Sequence, residues 1–228
     1  MSISSKIQSL ITAANSVTGE SRTDLTAAVQ DLVDGYGFRG DFKEVEYIES
    51  SGTQYIDTLC RPDATTIWEF ECAIQGGTVQ KRMGFTSGYY SAANTRFCFG
   101  TTAGNTFYFG IAGTNVNSAT ANDGLKHKFK IDMNTKKAYI DDNEFASGSG
   151  TFSTPNGDGY LFANHGARGV EDICSAKLYS CKIYQNNILV RQFIPCVRKI
   201  DDEVGLFDLA NYKFYANAGT GDFIVPSA

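Results

Sequence analysis

Ile67-Trp68-Glu69-Phe70-Glu71-Cys72-Ala73-Ile74 is the stretch on which the reading of this chain turns. Trp68, Phe70, Cys72 and Ile74 take every second place, with Ile67, Glu69, Glu71 and Ala73 between them. Successive side chains of a strand point to opposite faces, so the pattern describes a strand with one apolar face and one mostly charged face. Leu125, His127, Phe129 and Ile131 alternate in the same way with Lys126, Lys128, Lys130 and Asp132. Asn134-Thr135 then turns the chain into Lys137-Ala138-Tyr139-Ile140, which makes a hairpin.

Working outward, strand-like runs recur at 45–48, 54–58, 82–86, 96–101, 106–111, 160–163, 176–184, 188–194, 205–208 and 213–215. No helical period intervenes, and a mainly β, two-sheet antiparallel sandwich is expected. Composition agrees, with 16 Phe, 12 Tyr and 23 Gly in 228 residues, the mixture of short strands and glycine turns. The four prolines, Pro62, Pro155, Pro195 and Pro226, fall mostly outside strand interiors. Nothing repeats at a fixed period, so a solenoid or propeller is not supported.

The amino-terminal region has a different period. Ile3, Ile7, Leu10, Ile11 and Ala14 form one helical stripe, and Gly19 supplies a stop. Ser21-Arg22-Thr23-Asp24 reads as a capping box before Leu25, Ala28, Val29, Leu32 and Val33, with Gly35 closing the second helix. Residues 1–36 are thus expected to form a short helical hairpin. Two helices this short depend on packing and need a partner surface, which makes Ile7, Leu10, Ile11, Leu25, Val29 and Leu32 the candidate anchor interface. That surface is the rest of the chain, other copies of the hairpin or another protein. Glycines 35, 37 and 40 mark the change of period; 37–43 reads as a linker and 44–228 as the sandwich.

Twenty Lys and Arg against 25 Asp and Glu give a net charge of −5 with no basic block, which argues against nucleic-acid binding. No apolar run reaches the ~20 residues of a membrane-spanning helix, and neither membrane insertion nor a secretory signal is expected. The six cysteines, 60, 72, 98, 174, 181 and 196, contain no CxxC pair, and there are two histidines. A zinc site is absent from this pattern and the thiols are expected to be buried and reduced.

The stretch Glu46-Tyr47-Ile48-Glu49-Ser50-Ser51-Gly52-Thr53-Gln54-Tyr55-Ile56-Asp57-Thr58 resembles the opening strands of a concanavalin A-like, laminin-G-like jelly roll known from phage virion proteins and gut bacterial surface proteins. The hairpin at 126–141 is similar to that family's central hairpin, and Cys181-Lys182-Ile183-Tyr184 through Phe214-Tyr215 and Gly219-Thr220-Gly221 to its closing strands. The likeness covers about residues 44–223. Separately, Leu10 to Asn15, Thr18-Gly19 and Asp24 to Gly37 look like a segment recurring in phage tail and virion proteins. Together the resemblances imply a virion protein, assembled in the host cytoplasm, with a small anchor and a lectin-like display domain.

Tyr89, Tyr90, Asn94 and Arg96 place two rings, an amide and a guanidinium in one predicted loop, the combination that covers a pyranose face and satisfies its hydroxyls. The same tyrosines also suit a covered sheet edge or a subunit contact. His165, expected in a polar glycine-containing loop at Ala163-Asn164-His165-Gly166, is the better placed histidine, either a binding residue or simply exposed, whereas His127 belongs to an apolar alternation. Glu69 and Glu71 share a strand face at a glycosidase-like spacing but lack the third carboxylate of the Glu-x-Asp-x-x-Glu strand of hydrolases on this fold, so a solvated face is expected. Asn156-Gly157-Asp158-Gly159 and Asn122-Asp123-Gly124 suit calcium or an ordinary tight turn; no metal and no cofactor is expected.

The resulting expectation is a non-enzymatic virion structural protein. It would bind host-surface carbohydrate weakly through many copies, as a homo-oligomer held to other capsid or tail proteins. The rivals are a decoration protein that binds no glycan and a glycoside hydrolase using Glu69 and Glu71. A bacterial surface adhesin is weakened by the lack of an export signal or wall-sorting tail in the pattern.

Overall fold

The apolar stripe at the amino terminus folds as one α-helix, Ile3–Thr18, which Gly19 ends in the left-handed region at φ 73° while its N–H donates to the Asn15 carbonyl at 2.9 Å. The computed structural model describes residues 3–19, 23, 38, 40–75, 81–84, 95–166 and 169–227. Leu25, Val29 and Leu32 lie outside the described residues, and with them the second helix. Along the first, Ile11 and Ala14 are buried while Ile7 and Leu10 are exposed, Leu10 by 58%. The stripe therefore splits: part is packed and part faces outward.

The chain divides into two compact units, Met1–Glu44 with Val197–Glu203, and Val45–Cys196 with Val204–Ala228. In the first, Phe38 stacks on Phe42 at 5.8 Å, the Lys199 amide donates to the Asp41 carbonyl at 2.8 Å, and Arg198 pairs with Asp201 and Glu203.

The second unit is an antiparallel jelly-roll β-sandwich. Its larger sheet runs in the order Asn143–Ser147, Lys137–Ile140, His127–Asp132, Ile67–Ile74, Ser175–Gln185, Ile188–Arg198, Glu203–Asp208, Lys213–Ala216, and Ile48–Ser51 shares an edge of Ser175–Gln185 with Ile188–Arg198. The smaller runs Ile56–Asp57, Tyr160–Leu161, Lys81–Gly84, Phe97–Thr101, Thr106–Ile111, Thr114–Ala121. The alternation at 67–74 holds: Trp68, Phe70, Cys72 and Ile74 are all buried. Trp68 and Phe70 meet Phe97 and Phe99 of the smaller sheet at ring separations of 5.8 and 5.2 Å. On the other face Glu69 and Glu71 lie in register with Lys130 and Lys128, and their carboxylates pair with Lys130 at 3.6 Å and Lys126 at 3.3 Å.

The sequence pattern does not show Thr114–Ala121 as a strand, because only Val116 and Ser118 turn inward from a run of Thr, Asn and Ala. Its pairing with Thr106–Ile111 makes it a strand regardless of its own apolar content. The run expected at 45–48 starts instead at Ile48 and continues to Ser51. Ser50-Ser51-Gly52-Thr53-Gln54 is a polar turn anchored by the buried Ser50 and Gln54: the Gln54 side-chain oxygen accepts from the Ser51 amide at 2.8 Å, and Gly52 takes φ 109°. All six cysteines are buried. Burial pushes the Cys60 thiol up to about 11 and those of Cys72 and Cys181 well above their ordinary range, so each behaves as a small apolar side chain.

Candidate functional site

In an antiparallel sheet, residues directly opposite share a face. Leu161 opposes Ile56 and both are fully buried, so Tyr160 and Asp57, the next opposed pair, stand on the outer face of the smaller sheet. The His165 ring lies flat on Tyr160, 4.2 Å between centroids and 9° between planes, and Tyr55 leans on Tyr160 at 5.0 Å and 42°. His165 is not in a loop, as its glycine neighbour suggested, but in the strand Asn164–Gly166 of a two-stranded ribbon with Gly169–Glu171.

The other side of the imidazole is closed by backbone. A Cβ at Gly157 would sit 2.5–2.8 Å from three atoms of the His165 ring, and one at Gly159 would sit 2.7 Å from the Trp68 ring. The segment Gly157-Asp158-Gly159 can therefore pass against both rings only as glycine on either side of Asp158. It is fixed there by Thr58, whose hydroxyl donates to the Gly159 carbonyl at 2.6 Å, and by the Gly159 amide donating to the Cys60 carbonyl at 2.9 Å. The reading of 156–159 as a turn missed this role, and its two glycines were the signal for it.

His165 Nδ1 lies 2.8 Å from the Asp158 carbonyl oxygen. A carbonyl only accepts, so Nδ1 carries the proton, and in the neutral ring Nε2 carries a lone pair. Opposite Tyr160, burial lifts the Asp57 carboxyl above its ordinary range; the Leu59 N–H opposes this and the charge of Asp158 adds to it. Burial, then Asp57, Tyr55 and Asp158, push the Tyr160 hydroxyl up to about 12, so it keeps its proton. The arrangement is a rigid aromatic pile with hydrogen-bonding atoms at its rim and two carboxylates beside it.

Tyr89, Tyr90 and Asn94 lie outside the described residues. Arg96 precedes the strand Phe97–Thr101, and its carbonyl accepts from the Ala112 amide at 3.1 Å. Among the described residues no hydrogen bond or ion pair joins Arg96 to His165. Tyr55, Asp57, Asp158 and Tyr160 were not legible as a site because strand pairing over a hundred residues, 57 with 160, brings them together.

His127 has a different environment. Its Nδ1 lies 2.6 Å from Asp141 and its Nε2 3.0 Å from Asp123, while Phe107 and Phe129 flank the ring edge-on. Both nitrogens face carboxylates, an arrangement that fits the doubly protonated ring. Burial lowers its pKa, but the two carboxylates outweigh this and hold it above the ordinary 6.5. Asp123 is held below its ordinary 3.8 by the Leu125 amide and His127, and Asp141, against its own burial, by the Lys128 amide and His127. Asn122-Asp123-Gly124 is thus a turn, with the Gly124 amide on Asn122 and Gly124 at φ 76°.

A raised histidine contributes stability that is complete below its unfolded value and lost as pH climbs through the folded one; lowered carboxylates contribute above their unfolded value and lose it as pH falls. The latch is therefore strongest between about pH 4 and 6.5. Urea midpoints of the wild type are expected to fall from pH 6 to pH 9 more steeply than those of His127→Gln. Parallel curves for the two proteins would show that the latch contributes nothing.

Among the described residues no three His, Cys, Asp or Glu side chains gather as metal ligands, and no helix is long and apolar enough to cross a membrane. No family profile matches the chain, and no curated protein does. Solved structures do. A candidate carbohydrate-binding protein from Bacteroides ovatus superposes with a TM-score of 0.53 at 10% identity, over 82% of this chain and 61% of that one. The chain thus spans about three fifths of that protein's length. The CBM40 of the Ruminococcus gnavus IT-sialidase is similar with a TM-score of 0.41 at 12% identity, over 63% of this chain and 89% of that one. At these identities the likeness concerns the fold.

Proposed function

We propose that this chain is a glycan-binding β-sandwich module and that the rim of the Tyr55–Tyr160–His165 pile is its ligand contact. The observation that carries the reading is His165, held between Tyr160 and Gly157 with its tautomer fixed by the Asp158 carbonyl. A polar side chain clamped so firmly at a sheet's outer face loses little freedom on binding, which is what weak ligands such as sugars require. The fold shared with a candidate carbohydrate-binding protein supports the same reading.

On a glycan array the protein is expected to retain defined oligosaccharides, and Tyr160→Ala or His165→Ala to lower affinity for the best of them roughly tenfold, the loss of one or two hydrogen bonds. Retention unchanged in both variants would place the contact elsewhere.

We further propose that the module is a display domain on a phage particle, carried by the amino-terminal helix. Its support within the chain is the outward side of that helix, where Ile7 and Leu10 remain exposed. A second copy of the helix is the proposed cover. Deleting residues 1–36 is expected to convert an oligomer into a monomer in sedimentation; equal masses for the two proteins would remove this part of the proposal.

A further inference from the structure

Apart from tyrosine hydroxyls, which donate and accept, and the Lys213 ammonium near Asp57, the polar groups set around the pile are acceptors. His165 commits its one N–H to the Asp158 carbonyl, which leaves the Nε2 lone pair. The ring is gripped on both faces, so that lone pair keeps one direction. Asp57 accepts the Leu59 amide on Oδ1 at 2.9 Å, and among the described residues its Oδ2 takes no hydrogen bond. Asp158 places a second carboxylate within electrostatic range of both Asp57 and Tyr160, and Lys213 offsets part of that charge at Asp57.

An acceptor-rich, negatively charged rim selects a ligand that brings donors and no negative charge. Resting on the glycan reading above, we infer that the site takes a neutral sugar through its hydroxyl donors and excludes sugars bearing a carboxylate. Hydroxyls reach Nε2 of His165 and Oδ2 of Asp57 as donors. A sialic or uronic acid would instead add a third carboxylate next to two, with no donor fork to receive it.

The test uses the full chain on an array pairing neutral galactosides, mannosides and N-acetylglucosaminides with their sialylated or glucuronylated counterparts, followed by calorimetric titration of the best neutral binder. Neutral members are expected to bind roughly tenfold or more tightly than their acidic partners. Asp57→Asn, which keeps the shape and removes a charge, should narrow that preference several-fold. His165→Phe, which keeps an aromatic stack but removes both the lone pair and the Nδ1–H bond to the Asp158 carbonyl, should weaken the neutral ligand about fivefold at temperatures where the protein is still folded. Acidic members bound as tightly as neutral ones, with binding still lost in Tyr160→Ala, would overturn the neutral class and leave the site. An unchanged preference in Asp57→Asn would overturn the role of its charge. No binding to any member, or binding indifferent to Tyr160→Ala, would overturn the glycan reading itself.

Discussion

Phe99→Ala is expected to destabilise the sandwich by about 4 kcal/mol, the middle of the range for removing a buried aromatic ring. Phe99 is fully buried and touches rings from both sheets: Phe129 at 4.3 Å and Phe70 at 5.2 Å on one side, Phe109 at 4.7 Å and Phe107 at 6.0 Å in its own sheet. The neighbours are large rings on paired strands, so none can move in to fill the space. A cavity of that kind should lower the melting temperature by roughly 8–16 °C for a unit of this size. Phe99→Leu should recover most of it. A loss of less than 1 kcal/mol in urea titration would mean that the aromatic cluster is not the centre of the core.

The second large effect is expected at Asp208, whose side chain is completely buried. Its Oδ1 accepts from the Gln192 amide at 2.8 Å and the Ala210 amide at 3.0 Å, its Oδ2 from Asn211 at 2.8 Å, and Arg191 lies 3.7 Å away. Arg191 in turn donates to the carbonyls of Thr58 and Leu59, at 3.1 and 2.8 Å. Asp208→Ala leaves the Gln192 and Ala210 amides without their acceptor and takes the carboxylate from beside a partly exposed guanidinium, and should cost about 3 kcal/mol. Asp208→Asn keeps one acceptor and should cost less. Because the Arg191 bonds hold the backbone just past Asp57, Asp208→Ala should also weaken glycan retention at temperatures where the protein is still folded. A variant as stable as the wild type would show that the buried pair is replaceable by packing alone.

Much of the sandwich was legible in the sequence because its strands are half-buried. Residues 67–74 and 127–132 carry the period of two in their own side chains, and each becomes a strand with the faces expected. Thr114–Ala121 was not legible, since an edge strand that pairs on one side needs little apolar content. Gly19 ends its helix as read, whereas the splitting of the helical stripe into buried Ile11 and exposed Leu10 depends on what packs there, which a period cannot state. At the candidate site His165 was singled out, but its strand, its stacking on Tyr160 and its carbonyl partner all arise from pairing between distant segments. Glycine at 157 was visible; what it makes room for was not.

The order of strands in the larger sheet bears on how the chain matures. Ile67–Ile74 is central in the sheet, yet its longest partner, Ser175–Gln185, lies roughly a hundred residues downstream and leaves a ribosome many seconds later. Until then its second edge offers open amides and carbonyls beside Trp68 and Phe70, which makes the nascent chain prone to sticking to its neighbours. Weak induction, which keeps few nascent chains side by side, should therefore yield more native protein than strong induction, with holdase chaperones partly substituting for the missing strand.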